Sequence, residues 1–286
     1  MGSSMKYSKT KIAVVIIALI IIFTFLYAMF LGVRGFKMDE YTIKNNKITE
    51  DFDGFKIVHI TDIHYNDKSL KKELTKIIED INGVNPDIVV FTGDLVTNSL
   101  NEKEHKDLVK ILSNLETKIG KYAVNGNHDV RYDKWDLLIE ESGFINLNDS
   151  YDLIDNGDKH IFISGLSSNI KNEKSIEERS KDIFNYIEND KDSIYNILLI
   201  HEPDFVDDID YGKFDMILSG HSHMGQVRLP FVGAIIKIPG AKKYYNMNYY
   251  DLNGTGLYIS TGTGTSGLNI RLFNKPSYNL YKLVAE

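Results

Sequence analysis

The chain opens on one long apolar stretch and then settles into short apolar runs separated by amphipathic ones. Residues 12–31, IAVVIIALIIIFTFLYAMFL, carry no charge. At about 1.5 Å per helical residue they span roughly 30 Å, the hydrocarbon thickness of a bilayer. From residue 55 the pattern changes. FKIVHI (55–60), DIVVFT (87–92) and KYAV (121–124) are bounded apolar runs that read as strands. KKELTKIIEDI (71–81), EKEHKDLVKILSNL (102–115) and KWDLLIEES (134–142) follow them in turn, with apolar residues at helical spacing. This β-α-β-α-β succession predicts parallel strands covered by helices. Further strands are expected at 159–164, 195–200, 214–219, 256–261 and 278–284, with a polar helix near 174–188. Their close spacing predicts a second sheet. The expected fold is α/β, a two-sheet sandwich flanked by helices and preceded by one transmembrane helix.

Charge refines the organisation. Lys6, Lys9 and Lys11 precede the apolar stretch, and Arg34 and Lys37 follow it, ahead of Asp39 and Glu40. The denser positive flank is N-terminal, which predicts a cytoplasmic start and a soluble domain on the far side of the membrane. A cleaved signal, giving a secreted protein, is the alternative. The stretch is longer than a signal's apolar region and no small-x-small site follows, so an uncleaved single-pass anchor is the expectation. The divisions are then 1–11 as cytoplasmic N-terminus (MGSS reading as an expression scar), 12–31 as anchor, 32–54 as tether and domain entry, and 55–286 as the soluble catalytic domain. A net charge of −7 argues against a nucleic-acid polymer as partner. The chain has no cysteine, which excludes disulfides, thiolate metal sites and cysteine nucleophiles. No protein partner is indicated.

The polar residues that follow the strands carry the chemistry. FKIVHI leads to Asp62 and His64, DIVVFT to Gly93-Asp94, KYAV to Asn127-His128-Asp129, YNILLI to His201, and FDMILS to Gly220-His221-Ser222-His223. Ligands of α/β sheets bind beyond the carboxyl ends of strands. Five of the eight histidines stand at these ends. Asp62 and His64 are two residues apart, as are His221 and His223, which lets each pair point to one side on leaving a strand. Imidazole nitrogen with carboxylate or amide oxygen suits manganese, iron or zinc. Asp62, His64, Asp94, Asn127, His201, His221 and His223 are too many for one tetrahedral ion and divide naturally between two, the arrangement used in phosphoryl chemistry.

DIH, GD, GNHD, the lone strand-end His201 and GHSH resemble, in order, the five-block signature of the calcineurin-like metallophosphoesterases. GHSHMGQVRLP and GTGTSGLNIR further resemble a membrane-associated bacterial branch. The resemblance implies that Asp62, His64 and His223 bind a first metal and that Asn127, His201 and His221 bind a second. It implies that Asp94 bridges, that His128 faces the phosphate or leaving oxygen, and that Asp129 orients His128. It implies phosphoester hydrolysis by a metal-bridging hydroxide with two divalent ions, manganese foremost and iron or zinc as alternatives. A phosphodiester or pyrophosphate bond in a lipid-linked or nucleotide-like molecule is the favoured substrate. A phosphomonoesterase or protein phosphatase, and a membrane-anchored metal-binding scaffold, are the rivals.

Other residues carry lesser expectations. Arg271 and Arg228 are candidate substrate contacts. His59 is expected in the core, His105 on a solvated helix face, His160 in a structural place at a strand start, and Glu202 in a structural or exposed one. GTGTSG (262–267) is expected as a plain loop between strands beside the cleft, with a phosphate cradle of backbone N–H groups as the alternative. Residues 224–250 hold Arg228, Lys237, Lys242 and Lys243, no acid, FVGAII and two tyrosine pairs. They read either as a packed hairpin or as a surface resting on the bilayer.

Overall fold

A computed structural model describes residues 9–65, 68–169 and 174–286. Lys6, the MGSS segment and most of the expected cytoplasmic N-terminus lie outside the described residues. Along the chain run α1 (Lys9–Phe30), β1 (Lys37–Asn45), β2 (Lys56–Ile60), α2 (Lys68–Val84), β3 (Ile88–Thr92), α3 (Glu102–Leu112), β4 (Gly120–Val124) and α4 (Trp135–Glu141). Then come β5 (Ile145–Asn146), β6 (Ser150–Asn156), β7 (Lys159–Leu166), α5 (Ile176–Asn189), β8 (Ser193–Ile200) and β9 (Met216–Ser219). The chain ends with β10 (Arg228–Leu229), β11 (Gly233–Ala234), β12 (Tyr249–Leu252), β13 (Thr255–Ile259) and β14 (Ser277–Ala285).

Two six-stranded mixed sheets result, ordered β1-β14-β2-β3-β4-β5 and β12-β13-β9-β8-β7-β6. Strands β2 to β5 are parallel, as are β7, β8, β9 and β13. Alternation along each strand divides its apolar residues between two layers. Ile57, Val90, Ile161, Ile197 and Leu218 meet between the sheets. Val58 and Val89 turn outward onto Leu74, Ile77, Leu108 and Trp135 of α2, α3 and α4. Phe162, Leu198 and Ile217 turn outward onto Ile183 of α5. With both faces covered, these strands read in the sequence as unbroken apolar runs. Helices α3 and α5 start at full capping boxes, Asn101 with Glu104 and Ser175 with Glu178.

Helix α1 is, among the described residues, the one helix long and apolar enough to cross a membrane. Its end rests on the domain: the Arg271 amide donates to the Ala28 carbonyl at 3.0 Å. Much of the segment expected as tether and domain entry, 32–54, lies against the sheets. Residues 37–45 form β1, paired along nine positions with β14, and Ile48 and Phe52 are buried in the inter-sheet core. Polar residues Glu40, Thr42 and Lys44 alternate with Tyr41 and Ile43 in β1, so this half-exposed edge strand reads in the sequence as polar linker.

Candidate metal centre

The ends of β2, β3, β4, β8 and β9 converge along one edge of the sandwich, and the turns that follow them are backbone-strained. Asp62, His64, Asp94, His221 and His223 all have φ between 46° and 63°. Left-handed backbone is uncommon for residues other than glycine, and it concentrates where the surrounding structure enforces a functional geometry. The two-residue spacing predicts a shared side from strand pleating. Asp62 and His64 in fact lie past the end of β2, and left-handed turns, rather than the pleat, aim them.

Close packing holds these turns together. A Cβ on Gly220 would lie 2.1 Å from Thr61 Oγ1 and 2.2 Å from Asp62 Oδ2. The GTGTSG loop also lies against the site, since a Cβ on Gly264 would fall 2.1 Å from the Ile63 carbonyl.

All seven expected ligands come together. His64 Nε2 lies 3.2 Å from His223 Nε2, and Asp62 Oδ1 lies 3.3 Å from His223 Nε2. Asn127 Oδ1 lies 2.8 Å from His221 Nδ1 and 3.2 Å from His201 Nε2. Asp94 Oδ2 stands between the groups, 3.6 Å from His64 Nε2 and 3.3 Å from His201 Nε2. Each carboxylate spends one oxygen on the scaffold. Asp62 Oδ2 accepts from Thr61 Oγ1 and the His221 amide, and Asp94 Oδ1 accepts from the His128 amide. Asp62 Oδ1 is buried with no hydrogen-bond partner among the described residues. A buried carboxylate oxygen left open and facing imidazole nitrogens is what a cation site requires. Groups drawn from Asp62, His64, Asp94, His128, His201 and His223 bring ligand atoms within 4.8 Å of one another. The donor set therefore fits divalent metal.

Electrostatics points the same way. Burial alone would raise Asp62 and Asp94, yet His223 and His201 hold them below the usual carboxylate range, Asp94 at about 2. Burial lowers His221 to about 4 and His223 to about 3, so both offer free nitrogen lone pairs near neutral pH. His201 is pulled well upward by Asp94 against its burial. Its Nδ1 donates to the Thr92 carbonyl at 2.6 Å, which turns Nε2 toward Asp94 and Asn127.

Several expectations are corrected. Asp129 does not reach His128: its two oxygens accept from the Val96 and Gly126 amides, tying together the loops after β3 and β4. Burial, reinforced by Asp94, pushes the Asp129 carboxyl up to about 7. The His128 ring is held instead by the Thr97 carbonyl, 3.1 Å from Nδ1. Arg271 is wholly buried. It donates to the carbonyls of Thr261, Gly262 and Gly264 and sits 3.2 Å from His223 Nδ1, behind the centre rather than in the cleft. Burial lowers it to about 10, which leaves it cationic. Arg228 donates to the Met224 and Asn246 carbonyls, clipping its own segment together. His105 is buried between Tyr132 and Glu141 rather than solvated, because α4 packs over that face of α3. His59 is in the core, 2.7 Å from Thr92 Oγ1, His160 pairs with Asp190, and Glu202 is buried against Ser168. Sequence reasoning missed Gly240, where a Cβ would lie 2.9 Å from His221 Nε2. An isolated glycine inside a tyrosine-rich segment was its one signal.

Two packed mixed sheets with Asp, Asn and His converging at their strand ends define a metal-dependent phosphoester hydrolase. The chain belongs to the calcineurin-like phosphoesterase family, which its residues 55–225 match. Over 261 residues it is 32% identical to an uncharacterized metallophosphoesterase, YkuE, of Bacillus subtilis, covering 90% of this chain and 88% of that one. It is 23% identical to a transmembrane protein with metallophosphoesterase domain of Danio rerio, over 96% of this chain and 62% of that protein. A solved structure, the sulfate thiohydrolase SoxB of Thermus thermophilus, aligns at 11% identity and a TM-score of 0.49, covering 82% of this chain and 57% of that one.

Proposed function

We propose that the chain is a membrane-anchored enzyme cleaving a phosphodiester or pyrophosphate bond in a lipid-linked or nucleotide-like substrate, with its catalytic domain outside the cytoplasm. The observation that carries the reading is Asp94 Oδ2, which lies within 3.6 Å of both His64 and His201 and joins two ligand groups into one site. Asp62, His64 and His223 would hold one divalent ion, Asn127, His201 and His221 a second, and Asp94 both. Manganese suits this nitrogen and oxygen set, with iron or zinc as alternatives. Such ions, when bound, acidify a water toward neutrality and neutralise phosphoryl charge. With only two carboxylates among the seven ligands, the loaded site stays net positive and attracts an anionic phosphate. His128 commits Nδ1–H to the Thr97 carbonyl, and Nε2 is left to hold or deliver a proton at the leaving oxygen. The anchor reading is supported by the length of α1 and by similarity, over 96% of this chain and 62% of that protein, to a relative named as transmembrane.

The purified chain, stripped of metal and reloaded with manganese, tests the reading on bis(p-nitrophenyl) phosphate and p-nitrophenyl phosphate. The diester is expected to turn over faster. His128→Ala is expected to keep its metal by elemental analysis and to lose on the order of 10²–10⁴ in kcat. Near-parental turnover by the metal-replete variant would remove His128 from the chemistry. Preference for the monoester favours a phosphomonoesterase or protein phosphatase, and metal binding without turnover of either favours a scaffold.

A further inference from the structure

The segment joining the two metal-facing histidines of the GHSH block to β12 leaves the metal centre and returns to it. It departs at Gly225, two residues past His223, and comes back at Gly240 against His221. Between them, β10 and β11 form a short antiparallel hairpin with Pro230, Phe231 and Val232 at its tip. Phe231 is fully exposed and holds left-handed backbone at φ 65°, and Val232 is 65% exposed. Leu229, Ile235 and Ile236 beside them are exposed too. Thirteen large apolar side chains outside residues 12–31 are exposed among the described residues. Seven of them lie in this hairpin or at Leu268 and Phe273 in the adjoining segment, so they form a patch rather than scattered surface.

The patch is continuous with the end of α1. Gly32 lies so close to Arg271 that a Cβ there would meet the Arg271 carbonyl at 1.9 Å. Leu272, the next residue, bridges to Val227, and the Arg228 amide donates to its carbonyl at 2.9 Å. The helix end, the 268–273 segment and the hairpin thus lie side by side. A cleft of about 390 Å³ between the helix end and the 271–275 segment is lined by Tyr27, Leu31, Arg34, Lys37, Phe273 and Lys275, three of these six being cations, of which Lys37 pairs with Asp39. Apolar side chains rimmed by cations complement an anionic bilayer surface.

We propose that the Phe231–Val232 tip inserts into the bilayer carrying α1, so that the segment between Gly225 and Gly240 holds the metal centre at the headgroup layer. The inference rests on the anchored, lipid-linked reading above and narrows it to a phosphoester borne at the membrane surface. The tip is a rigid extension. A Cβ on Gly225 would lie 2.4 Å from that of Ala234, and Asn246 Oδ1 accepts from the Ala234 amide. An enzyme so placed meets a lipid-borne phosphoester without lifting it out of the membrane.

Phe231→Trp in the full-length chain, reconstituted in vesicles of dibrominated phosphatidylcholine and phosphatidylglycerol, tests this. The chain's one tryptophan, Trp135, is buried, so the parent supplies the background. The added fluorescence is expected to fall at least twofold in brominated relative to unbrominated lipid and to resist aqueous acrylamide. Val232→Asp in the same chain is expected to reverse that pattern. Quenching by acrylamide but not by bromolipid would put the tip in water and overturn the proposal. Quenching by neither would mean that protein, such as a second copy, covers the tip, and would overturn it equally. The readout needs no catalysis, and flotation of the parent with the vesicles reports the anchor separately, so a wrong substrate or a failed anchor is distinguishable from a wrong tip.

Discussion

Burial decides what a histidine does in this chain, and His59 is the clearest case. It lies within β2, wholly buried, its Nε2 against Thr92 Oγ1 and its ring stacked on Tyr281 at 6.4 Å. Burial, opposed by Asp62, lowers it to about 3. The folded state therefore refuses a proton that the unfolded chain accepts near pH 6.5. The sign follows: stability is full above pH 6.5 and is lost as pH falls from there toward 3. At pH 5 the loss from this residue is about 2 kcal/mol. Denaturant unfolding of metal-free protein at pH 7 and pH 5 should show His59→Gln losing less on acidification than the parent, by about that amount. Equal losses would mean that His59 is protonated in the fold. Arg271 carries the same lesson in reverse. Its sequence neighbourhood, a glycine-rich loop, suggested phosphate, but only packing reveals that loop carbonyls enclose the guanidinium.

Strands buried on both faces were the legible elements, because an unbroken apolar run ending in Asp, Asn or His has few other readings. All five strand ends that carry the candidate ligands could be located that way. What stayed illegible were half-exposed edge strands such as β1, β6 and β12, whose polar faces mimic linkers. The positions of Asp129 and Thr97 were equally hidden, since which backbone groups a loop carboxylate meets depends on other loops. Glycines at the strand ends are the sequence's trace of that crowding. Gly220→Ala would drive a methyl into Thr61 Oγ1 and Asp62 Oδ2. It is expected to cost about 1–3 kcal/mol and to weaken metal binding about 10–100-fold, because Asp62 must move. Gly83→Ala, late in α2 with nothing within 4 Å of the new methyl, is the control and should gain up to about 1 kcal/mol. Metal titration with a competing chelator separates the two, and unchanged affinity in Gly220→Ala would show that the turn has slack.

At the scale of the whole molecule, the question is where the independent domain begins. β1 adds a parallel strand outside β14, and the residues after it send Ile48 and Phe52 between the sheets. Tyr41 of β1 stacks on Tyr281 of β14 at 5.2 Å. Removing residues 1–36 takes away α1, the contact of Ala28 with Arg271 and the packing of Phe36 on Tyr278, while every sheet stays whole. Removing residues 1–54 bares the full edge of β14, a template for aggregation, and empties the sites of two large apolar side chains. Burial of each such side chain is worth about 1.5–3 kcal/mol, and lost edge pairing adds to it. The sum is comparable with the whole stability of a domain. Residues 37–286 are therefore expected to express as a soluble, cooperatively unfolding protein, and residues 55–286 to aggregate or unfold at much lower denaturant. Equal midpoints for the two fragments would mean that 37–54 is a tether after all. The stated difference would place the boundary between anchor and catalytic fold within residues 31–36. Helix and domain are then joined by so few residues that the metal centre cannot stray far from the end of α1.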